Sequence, residues 1–245
     1  MDMLNTKSNK ITKGFTLIEI LIASSIFAIA LVFTTATISQ GGSFYSKLKA
    51  QKSTSEDTRK IADMLSRDIR AANTGFSYTF NPANPSDVTE YSYGLALLSC
   101  RPLCTSTYNP SAPSVMITND FNINSNALVV GVKSDNIISY NVYYSKYSQY
   151  TPVFANPTGI YFKSFSSLPT LDQIANITTS SNLLSDAKND TAVSFAGFTP
   201  GWSIKAQPFV KFRIESKTKN FDNLPVPQRS YNIIESMIAT RNYEK

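Results

Sequence analysis

The chain has 245 residues, 42% hydrophobic and 16% charged, with 23 Lys and Arg against 17 Asp and Glu. It contains no His and only two Cys, which excludes His-dependent triads, His-ligated metals and a disulfide framework. The aromatic content of 12% excludes a disordered chain, and the net charge of +6 is compatible with nucleic acid, a membrane surface or neither.

All 12 Pro lie at or beyond Pro82, so the first third of the chain is free to form one long helix. Residues 1–14 are polar and carry Lys7, Lys10 and Lys13 against Asp2 alone. In residues 15–33 only Thr16, Glu19, Ser24 and Ser25 are not apolar. Extended to Ile38, this run rises about 36 Å as helix, enough to cross a hydrocarbon core of roughly 30 Å. The preceding lysines favour retention of that end and translocation of the chain beyond the apolar run.

After Gly41-Gly42 the pattern becomes amphipathic. Ile61, Leu65 and Ile69 recur every four residues beside Met64 and Ala72, and charged residues from Glu56 to Arg70 fill the other faces. Asn73 and Gly75 end this helix. Beyond Gly75 the period changes to alternation. Strands are expected near residues 91–98, 115–118, 127–132, 138–144, 159–165, 192–198, 210–215 and 229–241, separated by Asn, Ser, Gly and Pro clusters. The expected fold is α+β: a long N-terminal helix whose second half packs on a mostly antiparallel sheet. The expected division is a leader at 1–14, a membrane helix at 15–40, an amphipathic helix at 41–72 and a β-rich head at 73–245.

Glu19 lies early in the apolar run, where an ionisable group is costly at mid-membrane and cheaper near the interface. One reading is a carboxylate that snorkels to the interface. The other requires a cation within a low-dielectric assembly. Cleavage after Gly14 would create one, the new α-amine of Phe15, one helical turn away.

Lys13-Gly14-Phe15-Thr16-Leu17-Ile18-Glu19 resembles the type IV prepilin, or class III, signal. The resemblance implies cleavage between Gly14 and Phe15 by a prepilin peptidase and N-methylation of Phe15. It also implies that Glu19 pairs with a terminal amine during filament assembly. A Sec signal peptide and a plain membrane anchor are the alternatives, and neither accounts for the Gly-Phe…Glu offsets. Met64-Leu65-Ser66-Arg67-Asp68-Ile69-Arg70-Ala71-Ala72 resembles a signature of PilW-like minor pilins and of J-type pseudopilins. The C-terminal Ser236–Asn242 is similar to the Arg-Asn ending of PilW-like proteins. Where many major pilins carry a helix-bending Pro this chain has Ala36, and Gly41-Gly42 is the candidate for flexibility instead. A surface pairing of Arg67 with Asp63 or Asp68 would contribute little, so helix-to-sheet contact is the better expectation for the signature.

Cys100 and Cys104 form a C-x₃-C pair, expected to be a structural disulfide in an exported head. A metal would need two further ligands without His. Lys205, Lys211, Arg213, Lys217 and Lys219, interleaved with Trp202, Phe209 and Phe212, allow a DNA-binding reading; Lys211 and Arg213 equally suit a solvated strand face. Tyr140, Tyr143, Tyr144, Tyr147 and Tyr150 could line an adhesive surface, but alternation sends Tyr140 and Tyr144 to the core and leaves Tyr143 and Tyr147 open between core and surface. No catalytic constellation and no cofactor motif stands out, so the expectation is a non-enzyme. The expected function is a minor pilin in a type IV pilus initiation or tip complex, partnered by other pilins, prepilin peptidase and the inner membrane. The alternatives are a J-type pseudopilin of type II secretion and a filament-borne adhesin or DNA receptor.

Overall fold

The computed structural model describes residues 14–79, 88–91, 94–100, 104–106, 125–145, 159–198 and 209–240. The chain divides into two compact units, Met1–Ser46 and Lys47–Lys245. Helix α1 (Leu17–Ala71) is 55 residues long. It runs without interruption through Gly41 and Gly42, where an added Cβ would meet nothing within 4 Å. Two weak helix formers in succession therefore do not end the helix.

In the first unit every described residue is exposed apart from Ser46, which is half-buried, and the apolar side chains from Phe15 to Phe44 have no internal core to cover them. An 18-residue window of this segment has a mean hydropathy of 2.4 and is long and apolar enough to cross a membrane.

The second unit is α+β. After α1 come β1 (Phe76–Thr79), β2 (Val88–Tyr91), β3 (Leu95–Cys100), β4 (Cys104–Ser106), β5 (Ala127–Ser134), β6 (Ile137–Ser145), β7 (Ile160–Phe165), the short helix α2 (Leu171–Ala175), β8 (Asn189–Phe198), β9 (Phe209–Thr218) and β10 (Tyr231–Ala239). Among the described residues they form a β1-β2 ribbon, a five-stranded sheet in the order β4-β3-β5-β6-β7 and a three-stranded sheet in the order β10-β9-β8. Every pairing among them is antiparallel. The two larger sheets are tied where the Phe195 N–H donates to the Ser125 carbonyl at 3.0 Å.

The residues of α1 buried in this unit are Thr54, Asp57, Thr58, Ile61, Leu65, Asp68 and Ile69, a three-and-four spacing that follows one helix face. Ile61, Leu65 and Ile69 join Leu128, Val130, Tyr143, Phe195, Phe212 and Ile214 in the main core. Each fully buried aliphatic contributes about 1.5–3 kcal/mol of transfer free energy. A second core lies around Val129, Val142, Tyr144, Tyr78, Ile174 and Ile177. Val130 and Tyr143 belong to the first core and Val129 and Val142 to the second, so the five-stranded sheet is buried on both faces. This decides the place of Tyr143, which alternation leaves open. Tyr143 is fully buried rather than part of an adhesive surface, because both faces of β6 are covered and alternation no longer separates core from surface. Tyr147 lies outside the described residues, as does the expected strand at 115–118.

The expected strand at 91–98 is two strands, β2 and β3, separated before Leu95. Gly94, at φ +71°, occupies the left-handed region there, with the Gly131 and Thr74 carbonyls 2.8 Å from where a Cβ would stand. Gly131 on β5 is the other close approach. Its carbonyl accepts from the N–H groups of Asn73 and Thr74 at 3.0 and 3.2 Å as the chain leaves α1. The Asn73 side chain then acts as an extra rung, accepting from the Lys133 N–H at 2.6 Å and donating to the Lys133 carbonyl at 3.0 Å. These bonds fix where α1 ends on the sheet.

Candidate processing and assembly site

Gly14 and Phe15 precede α1 in non-helical backbone, and both are exposed, Phe15 by 83%. Gly14 has open space on every side within 4 Å of a built Cβ. Residues 1–13 lie outside the described residues, so the leader assigned to 1–14 is described only at Gly14.

The structure gives Glu19 a second role, which sequence reasoning missed. Its Oε2 accepts from the Thr16 N–H at 2.8 Å and from the Thr16 hydroxyl at 2.9 Å, while the Glu19 N–H donates to Thr16 Oγ1 at 3.3 Å. Thr16 and Glu19 are thus the N-cap and N3 partners of a capping box that satisfies two N–H groups otherwise lacking a helical partner. The Thr-x-x-Glu spacing before an apolar run was the available signal. The carboxylate also lies in the first turn of α1, where the helix dipole favours negative charge. Phe15 stands immediately before the Thr16 cap.

A second set of polar residues holds α1 to the sheets of the head. Asp68 Oδ2 accepts from the Tyr143 phenol at 2.7 Å and from Asn141 Nδ2 at 2.8 Å. Burial, reinforced by the neighbouring Asp68 charge, pushes the Tyr143 phenol well above its ordinary range. Arg67, the residue preceding Asp68, is 71% exposed and lies 3.4 Å from it. Residues 64–72 therefore make polar contact with the sheet through Asp68, and Arg67 faces solvent.

Three turns earlier, Asp57 Oδ1 accepts from the Asp186 N–H at 2.9 Å and Oδ2 from the Thr191 hydroxyl at 2.8 Å. Burial raises the Asp57 pKa, outweighing the hydrogen bonds that oppose the rise. Thr54 shares a 2.8 Å bond with Ser230, and Asn232 donates to Thr58 Oγ1 at 2.6 Å. Asp57 and its neighbours tie α1 to the three-stranded sheet, whereas Asp68 ties it to the five-stranded one. No sequence periodicity identifies these partners, which lie up to 176 residues away.

Cys100 and Cys104 are register partners at the end of the β3–β4 pair. Residues 101–103 and Tyr150, Trp202 and Lys205 lie outside the described residues. On β9, Arg213 is 16% exposed and engages both Glu215 and Glu235, so its charge is matched within the sheet face. No cluster of three or more metal-ligating side chains occurs among the described residues.

Residues 9–35 match the family described as Prokaryotic N-terminal methylation motif, the class III signal of type IV pilin-like proteins. Comparison with curated proteins and with solved structures gave no match. The matched segment contains Gly14, Phe15, Thr16 and Glu19 together with most of the apolar run.

Proposed function

We propose that this chain is a minor pilin of the PilW-like type, a non-enzymatic subunit of a complex that initiates type IV pilus assembly and stands at or near its tip. The observation that carries this reading is the methylation motif at residues 9–35, joined directly to an uncovered apolar helix and an α+β head. Prepilin peptidase cuts between Gly14 and Phe15, and the new Phe15 amine is methylated. The apolar part of α1 holds the subunit in the inner membrane with the head in the periplasm. On assembly it exchanges lipid for equivalent helices of other pilins, so its apolar surface never meets water. Glu19 provides register by pairing with a terminal amine in that bundle, where the low dielectric strengthens the attraction. Cys100 and Cys104 form a disulfide; directly opposed strand residues have a Cα separation within the range that a disulfide spans.

The choice of PilW-like minor pilin over J-type pseudopilin rests on the resemblance at residues 64–72 and 236–242, which the pseudopilins share in part. The test is deletion of the protein, with pilus number and secretion measured in one strain, and co-purification of the processed subunit with mass spectrometry of its N-terminus. Loss of pili, a methylated Phe15 and recovery of other minor pilins are expected. Intact pili with lost secretion would select the pseudopilin reading, and an intact residue 1–14 leader on the exported protein would overturn both.

A further inference from the structure

Between Glu19 and Glu56 the only charged residues are Lys47, Lys49 and Lys52, all exposed on α1. They come directly after Phe44 and Tyr45, which are 63% and 69% exposed. From Leu17 to Tyr45 the helix rises about 43 Å, the thickness of a bilayer including its headgroup regions. A membrane-inserted α1 therefore brings an aromatic pair and then three ammonium groups to the headgroup level on the side of the head. Aromatic rings favour that level, and lysines there meet lipid phosphates. Lys49 and Lys52 share one side of the helix and Lys47 lies on another, so the charges form a collar rather than a stripe. Only Lys52 has an acidic neighbour on the helix, Glu56 at 3.7 Å, and both are exposed enough for that pair to be weak.

The collar does not serve orientation, since lysines on the translocated side oppose the positive-inside rule. We infer that Lys47, Lys49 and Lys52 form a binding site for anionic phospholipid headgroups on the periplasmic leaflet, occupied while the subunit waits in the membrane and vacated on extraction. This rests on the membrane-anchored reading above. It adds a lipid preference, which an apolar helix alone does not produce.

The test uses the full-length processed protein in nanodiscs of phosphatidylcholine alone and of an equimolar mixture with phosphatidylglycerol, with native mass spectrometry of the retained lipid. Enrichment of phosphatidylglycerol on the order of tenfold is expected from three lysines at the surface. It should fall at high salt and disappear in the Lys47→Gln, Lys49→Gln, Lys52→Gln variant. These are exposed helix positions and Gln is a comparable helix former, so the variant is expected to fold. Insertion into both nanodiscs without enrichment overturns the lipid site and leaves the anchor reading standing. Enrichment that persists in the triple variant also overturns it. Failure to enter either nanodisc overturns both. Loss of pilus incorporation by a variant whose wild type shows no lipid preference would assign the collar to contact with acidic residues of another subunit.

Discussion

Asp68 on α1 and Tyr143 on β6, 75 residues apart in sequence, meet in a buried 2.7 Å hydrogen bond between carboxylate and phenol. Tyr143 is fully buried and Asp68 is 5% exposed, so neither group can exchange the partner for water. Tyr143→Phe removes one of the two donors to Asp68 Oδ2 and should destabilise the protein by about 1.5–3 kcal/mol. Asp68→Ala should cost more, because it leaves both Tyr143 and Asn141 unpaired. Urea unfolding followed by far-UV circular dichroism checks this. A Tyr143→Phe variant as stable as the parent would show that Asn141 alone satisfies Asp68 Oδ2.

Asp57 predicts a pH dependence of definite sign. Its pKa is raised by burial, so the folded protein holds the proton more tightly than the unfolded chain does. Its contribution to stability is greatest below the unfolded pKa of about 4 and is lost as pH rises through the folded value. Asp190, raised for the same reason, acts in the same direction. Asp57→Asn should flatten the part of the stability-against-pH curve that Asp57 causes and leave the part due to Asp190. Unfolding midpoints measured from acid to neutral pH, parent against variant, give the comparison. An unchanged slope would count against a proton-binding Asp57.

Thr16 and Glu19 can be separated experimentally, although they are joined by hydrogen bonds in both directions. Thr16→Val removes the cap and should cost the helix start about 1 kcal/mol, while leaving the carboxylate in place. Glu19→Ala (or Val) removes the charge as well. Under the proposed assembly mechanism, both variants are processed at Gly14, but Glu19→Ala enters filaments far less than Thr16→Val does. Immunoblots of sheared pili against whole cells measure the difference. Equal incorporation of both variants would refute register by charge.

The two kinds of glycine in this chain should respond oppositely to a methyl group. At Gly131 a Cβ would lie 2.5 Å from the Thr74 carbonyl, a backbone atom that cannot yield without moving the exit of α1. Gly131→Ala should destabilise by about 1–3 kcal/mol. Gly41→Ala meets open space and should favour the helix by roughly 1 kcal/mol. If pilus assembly uses flexibility at Gly41-Gly42, the same substitution should stiffen α1 and lower pilus number while the head unfolds as before.

The cysteine pairing makes a simple chemical prediction. The exported protein should resist thiol alkylation at Cys100 and Cys104 until it is reduced, as read by peptide mass spectrometry. Alkylation without reduction would refute the disulfide.

Local order along the chain determined much of this protein. The apolar run, the amphipathic Ile61-Leu65-Ile69 stripe, the change to alternation after Gly75 and the Gly-Phe-Thr-x-x-Glu offsets each express a period or spacing carried by neighbouring residues. They were enough for the α+β class and for the candidate cleavage bond. Thr16 belongs to the same legible set, since its spacing to Glu19 is that of a helix start, although the motif draws attention to a future amine instead. What only the tertiary structure decided is where long-range polar bonds fall. Asp57 and Asp68 look like surface charges on an amphipathic helix. They are buried because Thr191, the Asp186 backbone, Tyr143 and Asn141 arrive from distant strands with donors that offset the loss of water. The place of Tyr143 was hidden for a related reason. Alternation separates inside from outside only when one sheet face is wet, and here α1 covers one face of β6 while a second core covers the other.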